Sequence, residues 1–170
     1  LYSILLKKAT VQNIVIGGGA GAIPPLVGWA AATGSLNIPA LFLFAIVFMW
    51  TPPHFWALAI HRRPDSAAVD IPMLPVTHGE EYTRLNILLY TILLVLVTII
   101  PYLIGMSGVI YLAAALVLGG IFLRHAIRMR LVPEDVELPM KTFKYSITYL
   151  GILFAALLVD HYFLFQINLP

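Results

Sequence analysis

The stretch that decides how this chain is organised is Trp50–Val76, WTPPHFWALAIHRRPDSAAVDIPMLPV. Pro52 and Pro53 lie inside the apolar segment Leu41–Ile60, where proline removes a backbone donor and clashes with the preceding turn. A helix broken inside a bilayer is tolerated only where protein or a wet cavity satisfies the freed backbone groups. The pattern therefore predicts a membrane helix that breaks at the proline pair, with His54 directly after the break and a functional site beside it.

Composition places the chain among integral membrane proteins. It has 170 residues, of which 61% are hydrophobic and 11% charged, against about 25% charged in a soluble domain. The mean hydropathy is +0.93. There is no cysteine, which excludes disulfides and thiolate chemistry. Because the first residue is Leu1 and no signal peptide precedes the first span, we expect an internal or C-terminal part of a longer protein.

Five apolar stretches are predicted to cross the bilayer, whose hydrocarbon core of about 30 Å takes about 20 helical residues. The predicted spans are residues 11–33, 38–60, 85–104, 109–123 and 145–165, and the fourth of them is short. The predicted fold class is all-α: a polytopic membrane helical bundle of five transmembrane helices, forming one domain over residues 1–170.

The positions of the basic residues agree with this arrangement. All ten Lys and Arg residues fall in segments 1–10, 61–84 and 124–144, which five spans place on one side of the membrane. The positive-inside rule assigns that side to the cytoplasm. The net charge of +2 is thus explained by topology, and it does not indicate nucleic-acid binding.

Candidate site residues lie on the same side. His54, Leu58 and His61 share one stripe of a helix, at offsets of four and seven. A histidine facing lipid is costly, so we expect His54 to face a cavity or a partner. The alternative is a hydrogen bond from His54 to a carbonyl of the broken helix.

Asp65 and Asp70 could offer oxygen ligands to Mg²⁺, which prefers one or two carboxylates plus substrate phosphates. The alternative for Asp65 is a solvated loop carboxylate, which is the usual fate of such a residue. Arg62 and Arg63 could hold phosphate or could only set topology. At the far end, Asp160 and His161 are predicted to be plain interfacial residues.

The glycine run of the first span is not a nucleotide-binding loop, because no strand precedes it. Gly17 and Gly21 are four residues apart, which suits close helix packing within a membrane.

Three stretches, in order, resemble a known family. They are NIVIGGGAGAIPPLVGWAAATG (Asn13–Gly34), TPPHFWALAIHRRPD (Thr51–Asp65) and DIPMLPVTHG (Asp70–Gly79). They are similar to the protohaem IX farnesyltransferases (haem O synthases), intramembrane prenyltransferases related to the 4-hydroxybenzoate polyprenyltransferases. The likeness covers residues 2–101, and beyond them it is mostly one of hydropathy. The chain departs from the family at Ser66, where an aromatic residue is frequent, and at Lys8, where arginine is common.

The resemblance implies the C-terminal part of a nine-helix fold. The implied reaction transfers a farnesyl group from farnesyl diphosphate to a vinyl group of protohaem IX (haem b), giving haem O for terminal oxidases. Mg²⁺ would bind the diphosphate, with its main ligand loop upstream of this chain, and haem would be a substrate. The NxxxDxxxD motif of that loop is absent from this sequence, so we expect the chain alone to be inactive.

The residue pattern and the resemblance together lead to the following candidate roles. The catalytic residues would be His54 and Asp65, and the metal ligands Asp65 and Asp70. The substrate-binding residues would be Lys7, Lys8, Asn13, Trp50, Trp56, His61, Arg62 and Arg63. The expected location is the bacterial inner membrane, with the charged loops cytoplasmic and the lipid bilayer as surroundings. The implied protein partners are haem A synthase or oxidase assembly factors.

Two other classes remain open on the sequence. One is a haem-binding electron-transfer membrane subunit with His54 and His61 as axial ligands. Ligands seven residues apart lie about 10 Å apart along a helix, too far to hold one iron unaided. The other is half of a transporter, since broken helices also mark transport sites.

Overall fold

The computed structural model describes residues 13–62 and 74–167. These residues form helices and no strand. In chain order the helices are α1 (Asn13–Gly21), α2 (Ile23–Thr33), α3 (Ile38–His61), α4 (Leu74–Thr77), α5 (Glu80–Leu103), α6 (Val109–Leu131) and α7 (Leu138–Ile167).

Four of these helices, α3, α5, α6 and α7, are long and apolar enough to cross a membrane. The chain is therefore a multi-pass membrane protein. The four pack in a ring, because α3 and α6 each lie against both α5 and α7. Helices α6 and α7 are longer than the spans predicted for them: α6 continues to Leu131 and α7 begins at Leu138, so both extend into the basic end of the bundle.

The interior of this ring has two apolar clusters. One contains Tyr111, Phe122 and Tyr149, and the rings of Phe122 and Tyr149 meet edge to face. The other contains Trp56 and Met129, together with residues of α4 and α5. Apolar packing thus continues along the bundle, and the short helix α4 closes it at the basic end by placing Leu74 in the second cluster.

The first predicted span was expected to be one continuous helix, and the structure shows two. It is divided at Ala22 into α1 and α2, and neither half is long enough to cross a membrane alone. The division follows a glycine-rich run, and prolines occupy the first turn of α2, where a missing N–H costs nothing. Both halves pack mainly on α3, and α2 has no buried residue.

The predicted break at Pro52-Pro53 is wrong. Helix α3 runs without interruption from Ile38 to His61 and contains both prolines. Residues 51–54 are all buried, so packing on both sides holds this stretch in helical geometry despite two missing backbone donors. The prolines remove hydrogen bonds here but do not end the helix.

The close approach of the glycine run to α3 is made at Gly18, and Gly21 of the predicted pair takes no part in it. A Cβ added to Gly18 would lie 3.0 Å from Thr51 Cγ2, whereas a Cβ on Gly21 would meet nothing within 4 Å. Small residues let membrane helices pack closely, and here Gly18 lets α1 approach Thr51 at the start of the proline stretch of α3.

At the basic end, one arginine is part of the interior. Arg84 of α5 is 5% exposed. Its guanidinium donates to the carbonyl oxygens of Met129 (2.7 Å) and Pro133 (3.2 Å) and pairs with Glu80 at 3.0 Å. A cation at the carboxyl end of α6 is favourable to the helix dipole. Arg84 therefore holds α5 to the end of α6.

At the opposite end, the prediction of a plain interfacial residue is wrong for Asp160. Its side chain is on α7 and only 2% exposed. The carboxylate accepts hydrogen bonds from the backbone N–H of Gly108 and from that of Tyr111, the latter at 3.2 Å. These N–H groups begin α6, whose first turn has no partner within its own helix. Asp160 thus caps α6 from a neighbouring helix.

Candidate functional site

His54 occupies an aromatic enclosure between α3 and α7. Its ring stacks on Trp50, one turn earlier, at a centroid distance of 4.2 Å, and on Phe143 of α7 at 4.6 Å. The ring of Phe55 is edge to face with it, at a centroid distance of 4.9 Å. His54 is 8% exposed. Stacking on two faces fixes the plane of the imidazole. The ring nitrogens, which lie in that plane, can still form hydrogen bonds.

The polar partner of His54 is Ser146 of α7. His54 Nδ1 lies 2.7 Å from Ser146 Oγ, and the same hydroxyl donates to the carbonyl oxygen of Phe143 at 2.6 Å. Trp50 Nε1 donates to the carbonyl oxygen of Ser146 at 2.8 Å. The sequence suggested a hydrogen bond from His54 to a carbonyl of a broken α3. In the structure His54 bonds instead to Ser146 of α7.

A cavity of about 330 Å³ lies beside this cluster, between α1 and α3. The α1 wall includes three glycines, whose lack of side chains leaves the space open. The α3 wall includes Trp50, Thr51 and Phe55. The two aromatic residues flank His54 in the sequence, so the cavity shares its wall with the histidine's enclosure. An apolar slot next to one buried imidazole is typical of ligand sites, in which a few polar groups give orientation.

The end of α3 carries the next two predicted residues, His61 and Arg62, both exposed. The axis of α3 runs from His54 to these residues over about 10 Å. Asn13 is the first residue of α1, one position before Ile14, the first residue of that helix in the cavity wall. His61 is exposed while the Nδ1 of His54 faces α7, so the arrangement does not favour the two histidines as axial ligands of one haem.

Several predicted residues lie outside the described residues: Lys7, Lys8, Arg63, Asp65 and Asp70. Within residues 13–62 and 74–167 no group of three or more His, Asp or Glu side chains could hold a metal ion. The described part of the chain therefore supplies the apolar and imidazole components of a site and not a metal centre.

Trp56 is placed differently from Trp50. It is fully buried, with its ring edge to face with Tyr90 at 5.4 Å, and it belongs to the second core cluster. It does not line the cavity in which Trp50 and Phe55 take part. Its assignment to substrate binding stays a prediction that this position does not support.

Sequence reasoning missed both α7 residues of the site, Phe143 and Ser146. The available signal was weak: a serine inside an apolar span needs a hydrogen-bond partner, and it usually finds one within its own helix. That Ser146 also meets a histidine depends on how α7 packs on α3, which no local pattern reveals.

A second, larger cavity of about 570 Å³ lies near the other end of the bundle. Trp29 of α2, Met106 of the turn before α6, and Phe154, Leu158 and His161 of α7 are among its lining residues. Within the part of the chain that the structure describes, no buried charged group lines it.

Comparison with known proteins gives one consistent result. The model of the UbiA prenyltransferase family matches residues 1–150. A protoheme IX farnesyltransferase of Alcanivorax borkumensis is 64% identical over 162 residues, which are 95% of this chain and 53% of that protein. The proteins of the same name in Nitrosomonas eutropha and Methylococcus capsulatus are 58% and 62% identical over 97% and 95% of this chain, and 55% and 54% of their own lengths. The chain thus spans about half the length of these relatives. No solved structure matches.

Proposed function

The chain belongs to the UbiA prenyltransferase family, and on that premise we propose that it forms part of an enzyme that farnesylates haem. The enzyme would transfer a farnesyl group from farnesyl diphosphate to a vinyl group of protohaem IX, giving haem O. The observation that carries this proposal is the identity of well over half, along nearly the whole chain, to proteins named protoheme IX farnesyltransferase.

The cavity between α1 and α3 supports the proposal chemically. Diphosphate departure leaves the first carbon of the farnesyl group with cationic character, and an apolar, aromatic wall keeps stray water from that carbon. Trp50 and Phe55 provide such a wall, and aromatic faces favour a cation. In this proposal the vinyl group attacks the farnesyl carbon, and water captures the resulting cation on the haem side chain.

The diphosphate would lie at the basic end of the bundle. His61 and Arg62 end α3 in exposed positions there, and we place Lys7, Lys8, Asn13 and Arg63 with them. Cationic donors aimed at a leaving diphosphate stabilise the charge that develops on it, which is usually the largest contribution available to a site. Arg62 is thus assigned to phosphate binding as well as to topology.

Mg²⁺ belongs to the proposal as the partner of the diphosphate. Its ligands in this chain would be Asp65 and Asp70, with Asp65 also acting in catalysis, and both lie outside the described residues. Among the described residues there is no group of three or more His, Asp or Glu side chains that could hold the ion, and the roles given to His54, Trp50 and Phe55 do not depend on it.

We place the protein in the bacterial inner membrane with the basic end of the bundle in the cytoplasm. Reporters fused after Arg63 and Lys141 should then be cytoplasmic, and reporters after Gly34 and Ser107 periplasmic. The reason is that all ten basic residues lie on one side. A single reporter on the opposite side would contradict this orientation.

The activity is tested by incubating membranes that contain the whole protein with haem b and farnesyl diphosphate. Mass spectrometry should detect a product heavier than haem by one farnesyl group and one hydroxyl group, with release of pyrophosphate. Replacing His54 with glutamine should lower the rate by about 100-fold, because acid–base groups contribute about 10²–10⁴-fold. The matched control is His161→Gln, an exposed histidine on α7, which should keep the wild-type rate. Absence of the product from the wild-type protein would overturn the proposal.

A further inference from the structure

The proton of the Ser146 hydroxyl can be located from two distances. Ser146 Oγ lies 2.6 Å from the carbonyl oxygen of Phe143. A carbonyl oxygen carries no hydrogen, so two oxygens can approach this closely only if the hydroxyl proton lies between them. The single proton of the serine is therefore committed to its own helix.

That commitment decides the tautomer of His54. Ser146 Oγ is also 2.7 Å from His54 Nδ1, and the hydroxyl has no second proton to offer. Nδ1 must then be the donor and Oγ the acceptor. In a neutral imidazole one nitrogen carries the proton and the other carries a lone pair, so Nε2 carries the lone pair. Within the described part of the chain no group forms a hydrogen bond with Nε2.

The surrounding contacts keep the ring in this orientation. Trp50 and Phe143 stack on its two faces, so a flip would have to break the packing on both sides. Trp50 is itself held by the Ser146 carbonyl, to which its Nε1 donates at 2.8 Å. One residue of α7 thus fixes both the histidine and the indole that covers it.

We propose that Ser146 is a positioning residue that keeps the proton of His54 on Nδ1, so that Nε2 acts as the proton acceptor of the reaction. This inference rests on the proposed function. Water adds to the cation on the haem side chain through a new C–O bond, and one proton of that water passes to Nε2. The diphosphate has already left with the electron pair of the broken C–O bond, so charge and atoms balance. A histidine held as an Nε2–H donor could not accept this proton.

The tautomer is measured directly by nitrogen-15 NMR of the whole protein in membranes, with histidine labelled in its ring. Protonated and unprotonated ring nitrogens have well separated shifts, and the His54 signals are assigned by their loss in His54→Gln. We expect the wild type to show Nδ1–H and a bare Nε2. In Ser146→Ala a substantial share of His54 should change to the Nε2–H form. A wild-type His54 with its proton on Nε2 would overturn the proposal, whatever the variants do.

Kinetics then separate positioning from general packing. Ser146→Ala should lower kcat by about 10–100-fold, part of an acid–base contribution, with the KM for farnesyl diphosphate nearly unchanged. Ser146→Thr keeps the hydroxyl and should restore both the tautomer and most of kcat. The matched control is Thr142→Val, one turn earlier on α7, whose buried hydroxyl bonds only within the helix, to the Leu138 carbonyl. It should change neither readout.

Two results would count against the role given to Nε2. If Thr142→Val lowers kcat as much as Ser146→Ala, the effect is loss of packing and the proposal fails. If the Soret band of haem bound to the protein shifts in His54→Gln, Nε2 binds the haem iron and is not the proton acceptor. Failure of the proposed function would look different, because no farnesylated haem would form while the NMR tautomer of His54 stayed as stated.

Discussion

The chain contains two proline pairs, and they behave in opposite ways. Pro24-Pro25 lies in the first turn of α2, directly after the interruption at Ala22. Pro52-Pro53 lies inside α3, which continues through it to His61. The same dipeptide is found where one helix begins and where another does not stop.

The difference lies in the surroundings of each pair. Thr51 and His54, on either side of the buried pair Pro52-Pro53, pack on α1 and α7 respectively, whereas α2 has no buried residue. A glycine-rich run precedes the first pair, and glycine weakens a helix by about 1 kcal/mol relative to alanine. In this chain, the proline pair that neighbouring helices bury is accommodated inside a helix. The pair without such packing lies next to an interruption between two helices.

The largest expected effect comes from the residue that follows each pair. His54→Ala should lower the free energy of unfolding by about 3 kcal/mol, because it empties a buried enclosure of a large side chain. Leu26→Ala, at the equivalent position after Pro25, should cost less than about 1 kcal/mol, since Leu26 is only partly buried. Unfolding in mixed micelles of mild detergent and SDS measures both. Equal losses would remove the proposed difference between the surroundings of the two pairs.

An intermediate effect is expected where the two regions touch. Gly18→Ala should destabilise the protein by about 2 kcal/mol, because its new methyl would lie 3.0 Å from Thr51 Cγ2. Thr51→Ser removes that methyl group and keeps a hydroxyl able to bond to the Val47 carbonyl, so the double variant should recover part of the loss.

The control for this change is Gly21→Ala in the same helix, where nothing lies within 4 Å of the added Cβ. It should be neutral or slightly stabilising, because alanine is the better helix former. If Gly18→Ala and Gly21→Ala are alike in the same unfolding assay, α1 does not pack on α3 through Gly18.

The smallest effect is expected from the prolines themselves. Pro52→Ala restores an N–H within an intact helix, one turn after the Phe48 carbonyl, and stability should change by less than about 1 kcal/mol. Pro24→Ala restores an N–H in the first turn of α2, where such groups have no partner within the helix. Hydrogen exchange should therefore be at least about tenfold slower for the new amide at position 52 than for that at position 24. Equal exchange rates would mean that α3 is not held through its proline pair.

A feature of this fold could be predicted from the sequence when it depends only on residues that are close together in the chain. Hydropathy and the positions of Lys and Arg belong to each segment by itself, so membrane helices and their charged ends could be predicted. The effect of Pro52-Pro53 could not, because it depends on α1 and α7. The same holds for Gly18, whose importance comes from meeting Thr51 and not from its place in the glycine run.

The site was predictable to the same extent. His54 stood out because a histidine after two prolines in an apolar run is rare, and Trp50 stood out as its neighbour. Trp56 is also a tryptophan close to His54 in the sequence, but it belongs to the second core cluster. Its residue type alone could not show this difference from Trp50. Ser146 lies 92 residues from His54 in the chain, and such a contact has no signature in one sequence.

The cap that Asp160 places on α6 also has a consequence for the order of synthesis. Gly108 and Asp160 are 52 residues apart, and translation at about 5–20 residues per second takes roughly 3–10 s to cover that distance. During this interval the first turn of α6 is inserted with its N–H groups unmatched. The start of α6 thus receives its cap only after Asp160 of α7 has been synthesised. A polypeptide that stops short of Asp160 would carry an open helix start, by which membrane quality control would distinguish it from one that contains Asp160.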